Sequence, residues 1–243
     1  SYIKSNKNNN FTTKNKLINN FISLFNKHPF IISFSIILIS WLIYIIAFYP
    51  IILSPDPSFQ IKQYFNEHTK YIDWVIQIDK NVNMTTHHPI IHTYLLGTCI
   101  QIGKYLLNDN FGLFLYSILQ IIILISVLSY TIYFSKKYLV SNKWCLLLLL
   151  IYSLAPMFPL YAMSGVKDTY YTAFIILYVI ILYDIIHSCL KKSISLKYSI
   201  YITVILILIT LFRNNGIYVI ILTFPILIFS NHKNIIKLSI IFI

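Results

Sequence analysis

Residues 30–53 read FIISFSIILISWLIYIIAFYPIIL: 24 consecutive positions without one charged side chain. A bilayer's hydrocarbon core takes about 20 apolar residues in helical form, so this run is long enough to cross it. It is too long for the core of a secretory signal and no small-residue cleavage pattern follows it, which makes it an uncleaved first span.

The flanks orient that span. Residues 1–29 are rich in Asn and Lys and hold Lys4, Lys7, Lys14, Lys16 and Lys27 with no acidic residue. Such a segment is expected to be a disordered or surface-lying leader kept on the cytoplasmic side, where basic residues accumulate. The first span then delivers residue 54 to the opposite face.

Whole-chain composition agrees with a lipid-solvated protein. The 243 residues are 58% hydrophobic and only 11% charged, with a mean hydropathy of +0.73, whereas soluble domains carry about 25% charged residues. The formal charge of +12 lies mostly in lysines between apolar runs. That pattern is a topology signal and excludes a nucleic-acid partner. Cys99, Cys145 and Cys189 fall in or at the end of apolar segments without metal-type spacing, and read as small buried hydrophobes.

Further spans are expected at about 111–134, 144–163, 169–189, 198–212 and 217–230. The chain stops within another apolar run at 235–243, so it is expected to be incomplete at its C-terminus. The fold class is therefore an all-α, polytopic transmembrane bundle: a basic leader over 1–29 and a helical domain over 30–243. Within it stands one sizeable external loop, 54–88, where Phe59–Ile78 has spacings suited to amphipathic helices on a membrane surface.

The segment 89–107 permits two readings, because His92, Gln101 and Lys104 make it the least apolar candidate. If it crosses, the basic connections at Lys136, Lys137, Lys143 and at Lys191, Lys192, Lys197 fall outside. If it is a juxtamembrane or re-entrant helix they fall inside, in line with the positive-inside tendency. The second reading is preferred, and under it three polar clusters share the external face.

Those clusters hold the candidate site. Asp56, in Ser54-Pro55-Asp56-Pro57-Ser58, meets water beside an apolar wall, which suits a general base; a helix start is the plainer account. His87 and His88 precede Pro89, with His92 one helical turn further on, a spacing that serves anion contact or, more weakly, a metal. Lys167 and Asp168 lie between apolar runs and either pair internally or serve a substrate. Arg213, followed by Asn214, is the one arginine in the chain, and its planar fork suits phosphate.

The order of these motifs, with a basic leader and first span before them, resembles the GT-C superfamily of multispan membrane glycosyltransferases. The likeness runs from about residue 30 to 230 and points to a poorly characterised bacterial branch near the protein mannosyltransferase and aminoarabinose transferase group. It implies a GT-C-like bundle in the bacterial plasma membrane and a polyprenyl-phosphate sugar as donor. It also implies hexosyl or pentosyl transfer to a glycan, lipid or protein acceptor of the cell envelope.

By the same resemblance Asp56 is the catalytic carboxylate, a general base or acceptor-orienting group, with His87, His88, Lys167, Asp168, Arg213 and Asn214 binding substrate. The family's pattern has a second acid beside the first. Here Pro57 follows Asp56, so no metal site is assigned and a divalent cation stays an open possibility. A transporter or lipid flippase, and a non-catalytic envelope scaffold, are the competing classes. Transport calls for charges near midspan, whereas here they cluster at span ends.

Overall fold

The computed structural model describes residues 15–67, 69, 85, 87–189 and 196–230. Within them every regular element is helical: α1 Lys16–Lys27, α2 Pro29–Ala47, α3 Pro55–Tyr64, α4 Ile90–Leu106, α5 Asp109–Lys137, α6 Asn142–Leu154, α7 Met157–Ala162, α8 Lys167–Cys189, α9 Leu196–Phe212 and α10 Gly216–Ser230. Among the described residues three stretches are long and apolar enough to cross a membrane: α2, α5 and Lys167–Ile185 of α8. At 1.5 Å per residue the 19 residues of α2 reach about 28 Å, close to the hydrocarbon thickness.

Helix α5 is the central post, sharing a buried cluster with each side of the bundle. On one side Phe25, Ile37, Trp41, Cys145 and Leu149 pack on Ile125, Leu128 and Ile132. On the other, Leu96, Tyr170, Phe174, Ile209 and Phe212 pack around Tyr116. Outward-facing positions are also apolar, for example Ile43 and Ile46 on α2 and Leu222 on α10. A helix apolar all round suits lipid contact.

Antiparallel contacts give the bundle two distinct ends. At one, Ser117 of α5 donates to the Pro50 carbonyl past the end of α2 at 2.9 Å, and Gln120 reaches the Tyr161 and Ser164 carbonyls before α8 at 2.9 and 2.6 Å. At the other, Lys137 of α5 donates to both carboxylate oxygens of Asp184 on α8 at 3.0 Å. Helix α4 begins two residues after His88 and is joined to α5 by the turn at Leu107 and Asn108.

One expectation is corrected. The span drawn over 144–163 is two helices, because Pro156 removes a backbone donor and forces Ala155 to extended geometry (ψ 117°), ending α6 at Leu154. Residues 16–27 of the leader form a helix, capped where the Asn15 side chain accepts from Leu17 N–H at 2.9 Å. Of Phe59–Ile78, α3 covers the first part; residues 70–84, 190–195 and the apolar run 235–243 lie outside the described residues. Cys99 and Cys145 are free and buried.

The α4–α5 contact depends on two glycines. A Cβ on Gly103 would sit 2.2 Å from the Gly112 Cα, and one on Gly112 would sit 2.5 Å from the Ile100 Cα, so backbone meets backbone with no flexible side chain to give way. Gly103→Val is expected to lower stability by about 1–3 kcal/mol or more through overpacking. Unfolding midpoints in detergent check this, with Ile102→Val on the exposed face expected to change little.

Candidate functional site

Two irregular loops meet at the Ser117 end. Ile52 N–H donates to the Met163 carbonyl at 2.8 Å, and Gly165 N–H donates to the Ile52 carbonyl at 3.1 Å, a single parallel bridge between Ile52 and Ser164. From that bridge the chain runs four residues to Asp56 in the first turn of α3 and three to Lys167 at the start of α8. The two side chains are thereby brought together from 111 positions apart.

Ser54, not Asp56, holds the N-cap position of α3, so the Asp56 carboxylate is not spent on capping. Lys167 Nζ stands 3.5 Å from Asp56 Oδ2 and 3.4 Å from His88 Nδ1. The lysine is the more enclosed partner, its side chain 19% exposed against 54% for Asp56. A lysine can donate to Nδ1 only when that nitrogen carries no proton. Consistent with this, burial first and the Lys167 charge second hold the His88 pKa at about 4, while Asp56 pulls the other way.

Beneath this ionic layer lies a neutral one. One turn along α3 from Asp56, Gln60 Oε1 contacts His92 Nδ1 at 2.8 Å; one turn from His88, His92 Nε2 contacts the Tyr116 hydroxyl at 2.6 Å. His92 is fully buried, ringed by Tyr116, Tyr170 and Phe212 at centroid distances of 5.7, 6.4 and 6.3 Å. Burial, then the charge of Lys167, lowers its pKa to about 3. The neutral ring donates through Nδ1 to Gln60 and accepts from Tyr116 through Nε2.

Arg213 follows the last residue of α9, where a cation also complements the helix C-terminus. Its Nη1 donates to Asp168 Oδ1 at 2.7 Å, and its guanidinium lies 5.2 Å from the centroid of the Tyr171 ring. The Asp168–Arg213 pair borders a cavity of about 400 Å³ whose other walls include Leu124, Leu128, Met157, Phe158 and Ile176. The cavity is thus charged at one side and apolar along most of the rest, with Tyr161, Thr169 and Thr172 adding hydroxyls.

Asp56, His88 and Lys167 therefore form one group, and Asp168 with Arg213 a second, joined through the Lys167–Asp168 peptide. His87 is exposed, its ring edge-on to His88 at 4.7 Å. Asn214 is exposed in the turn after Arg213 and forms no hydrogen bond to either group among the described residues. No three His, Cys, Asp or Glu side chains converge as metal ligands among the described residues. With Asp56 and Asp168 each facing a basic side chain, this donor set does not fit a divalent cation.

Gln60, Tyr116, Ser117 and Gln120 stood outside the sequence-level site. Gln120, with Ser117, Ser126, Ser129 and Thr131, inside the largely apolar 111–134 run was a signal that this helix carries buried polar bonds. Nothing in the spacing announced that Gln60 and His92 would meet.

Fold and site together define an all-helical protein with bilayer-length apolar helices and a charged site at one end of the bundle. The chain belongs to DUF6020, a family of unknown function, which matches residues 74–243. No curated protein and no solved structure matches it.

The neutral histidines set a pH dependence. Their folded pKa values, about 4 and about 3, lie below the unfolded 6.5, so the unfolded chain binds more protons between these limits. Their contribution is whole above pH 6.5 and is lost as pH falls toward 4 and 3. Thermal midpoints of wild type and His92→Gln should therefore converge as pH drops from 7 to 4, because glutamine keeps donor and acceptor without titrating. Parallel curves would remove His92 from the account.

Proposed function

We propose that this chain is a multi-pass integral membrane protein of the bacterial plasma membrane, N-terminus cytoplasmic. We propose further that it transfers a sugar from a polyprenyl-phosphate donor to a cell-envelope acceptor on the external face, in the manner of the GT-C superfamily. The observation that carries this reading is the cavity of about 400 Å³, apolar along most of its wall and bordered by Arg213 and Asp168. Immediately beside Asp168, Lys167 reaches the Asp56 carboxylate. A long apolar chain with an anionic head and a reacting carbon has matching surroundings there.

In this reading the acceptor hydroxyl oxygen attacks the anomeric carbon as the bond from that carbon to the phosphate oxygen breaks. The hydroxyl proton passes to the Asp56 carboxylate, and the bonding electron pair leaves with the polyprenyl phosphate. Lys167, 3.5 Å from Asp56 Oδ2, holds the carboxylate in place. Arg213 uses donors beyond the Nη1 given to Asp168 to stabilise the phosphate charge, for which its fork is suited and a lysine would not be. His87 and His88 border the acceptor side, and Asn214 the approach to Arg213.

Transport is less well supported by the placement of charge. The ion pairs Asp56–Lys167 and Asp168–Arg213 lie at one end of the bundle and Lys137–Asp184 at the other. A path through the bilayer calls for ionisable groups between them.

Two measurements test the proposal. In a variant lacking native cysteines, Asn214→Cys should react in intact cells with an impermeant thiol reagent and Ser141→Cys should not; the reverse pattern removes the external site. In reconstituted membranes supplied with polyprenyl-phosphate sugars, Asp56→Asn should cut transfer by about 100-fold or more while donor binding persists. Arg213→Lys should instead weaken donor binding. Transfer at the wild-type rate by Asp56→Asn refutes the assigned chemistry.

A further inference from the structure

Among the described helices, α1 differs in having one apolar arc set against a basic face. Leu17, Leu24, Phe21, Phe25, Ile18 and Ile22 fall within one arc of its surface, and Lys16 and Lys27 stand opposite. Only part of that arc has a protein partner: Ile22 and Phe25 are buried, Phe25 within the cluster that includes Ile37, Trp41 and Ile132. Leu17 remains 77% exposed, Leu24 49% and Phe21 37%.

The chain constrains what can cover that remainder. One residue, His28, separates α1 from Pro29, the first residue of the bilayer-length helix α2. The non-helical backbone at His28 (φ −133°, ψ 60°) breaks the axis there. With its C-terminus tied to the start of a span and two side chains tied to the bundle, α1 is held at the level where hydrocarbon meets headgroups.

Charge then selects among surfaces. The first 29 residues contain five lysines and no acid, and Lys136 and Lys143 stand at the same end of the bundle, around the α5–α6 turn. Apolar insertion beside a lysine-rich segment that carries no acidic residue is the recognition chemistry of an anionic lipid surface.

We infer that α1 is an interfacial helix that docks on anionic phospholipid headgroups of the leaflet at the Lys137 end, with Leu17, Phe21 and Leu24 inserted below them. This is independent of the glycosyl-transfer reading and rests on the chain spanning a bilayer. Lys16 and Lys27 ride above the inserted residues at headgroup level. Each lysine at such a surface changes the docked-to-undocked ratio roughly fivefold.

The test uses the full chain, lacking native cysteines, in nanodiscs of phosphatidylcholine alone or mixed with phosphatidylglycerol. An environment-sensitive fluorophore is placed at Leu17→Cys or, on the opposite face, at Ser23→Cys. With phosphatidylglycerol present, the Leu17 label should be shielded from aqueous iodide and quenched by nitroxide lipids, while the Ser23 label stays open to iodide. Shielding should fall in pure phosphatidylcholine, and in Lys16→Gln/Lys27→Gln by a factor of about 25 in the docking ratio. A Leu17 label as open to iodide as the Ser23 label overturns docking. Shielding indifferent to lipid charge and to both substitutions overturns headgroup recognition and points to a protein cover. Failure of the chain to enter nanodiscs at all would instead strike the membrane reading beneath it.

Discussion

The single backbone bridge between Ile52 and Ser164 is the contact on which the charged end of this molecule depends. Two loops leave the helical region there, and their peptide groups lose the intrahelical bonds that satisfy every other residue of a span. Unpaired peptide groups away from water are costly. The solution is mutual: Ile52 takes the Met163 carbonyl and gives its own to Gly165, while Ser117 and Gln120 of α5 take the Pro50, Tyr161 and Ser164 carbonyls. Helix α5 is thus a core helix on two faces and a clamp for both loops. Asp56 and Lys167 meet because they are the next charged residues along the two clamped chains.

The site is layered by solvation. Outermost, Asp56 and the Asp168–Arg213 pair are roughly half exposed, so charge is tolerated by access to water. One turn deeper the charges stop, and recognition passes to neutral hydrogen bonds among Gln60, His92 and Tyr116. An imidazolium at His92 would have to be stripped of water beside the Lys167 charge. Neutrality there follows from burial, and in exchange His92 links α3, α4 and α5 through bonds that a charged ring could not make with the same polarity. The aromatic packing of Tyr170 and Phe212 around it ties α8 and α9 to the same centre.

Much of the helical plan was legible because crossing a bilayer imposes a length. The runs at 111–134 and 169–189 lie within α5 and α8, where nothing local opposes a helix. The reading of 144–163 as continuous gave hydropathy too much weight against Pro156, whose ring ends α6 whatever the surrounding apolarity. The leader was read by composition alone, and its helix over 16–27 rests on an amphipathic arc that composition does not register. Membership in DUF6020 places residues 74–243 in a family and leaves function to be argued from the site.

What the sequence determined by itself was local: which segments avoid water, where prolines and glycines interrupt them, and which short stretches carry charge. Each follows from a residue and its near neighbours. Tertiary structure alone decided that Lys167 would face Asp56 and His88 while Asp168 turned to Arg213, and that Gln60 would find His92. Those pairings join positions 111, 79, 45 and 32 apart. They are fixed by how α3, α4, α8 and α9 stack around α5, since helices meet wherever small residues such as Gly103 and Gly112 let their backbones close. A spacing along the chain carries no record of that meeting.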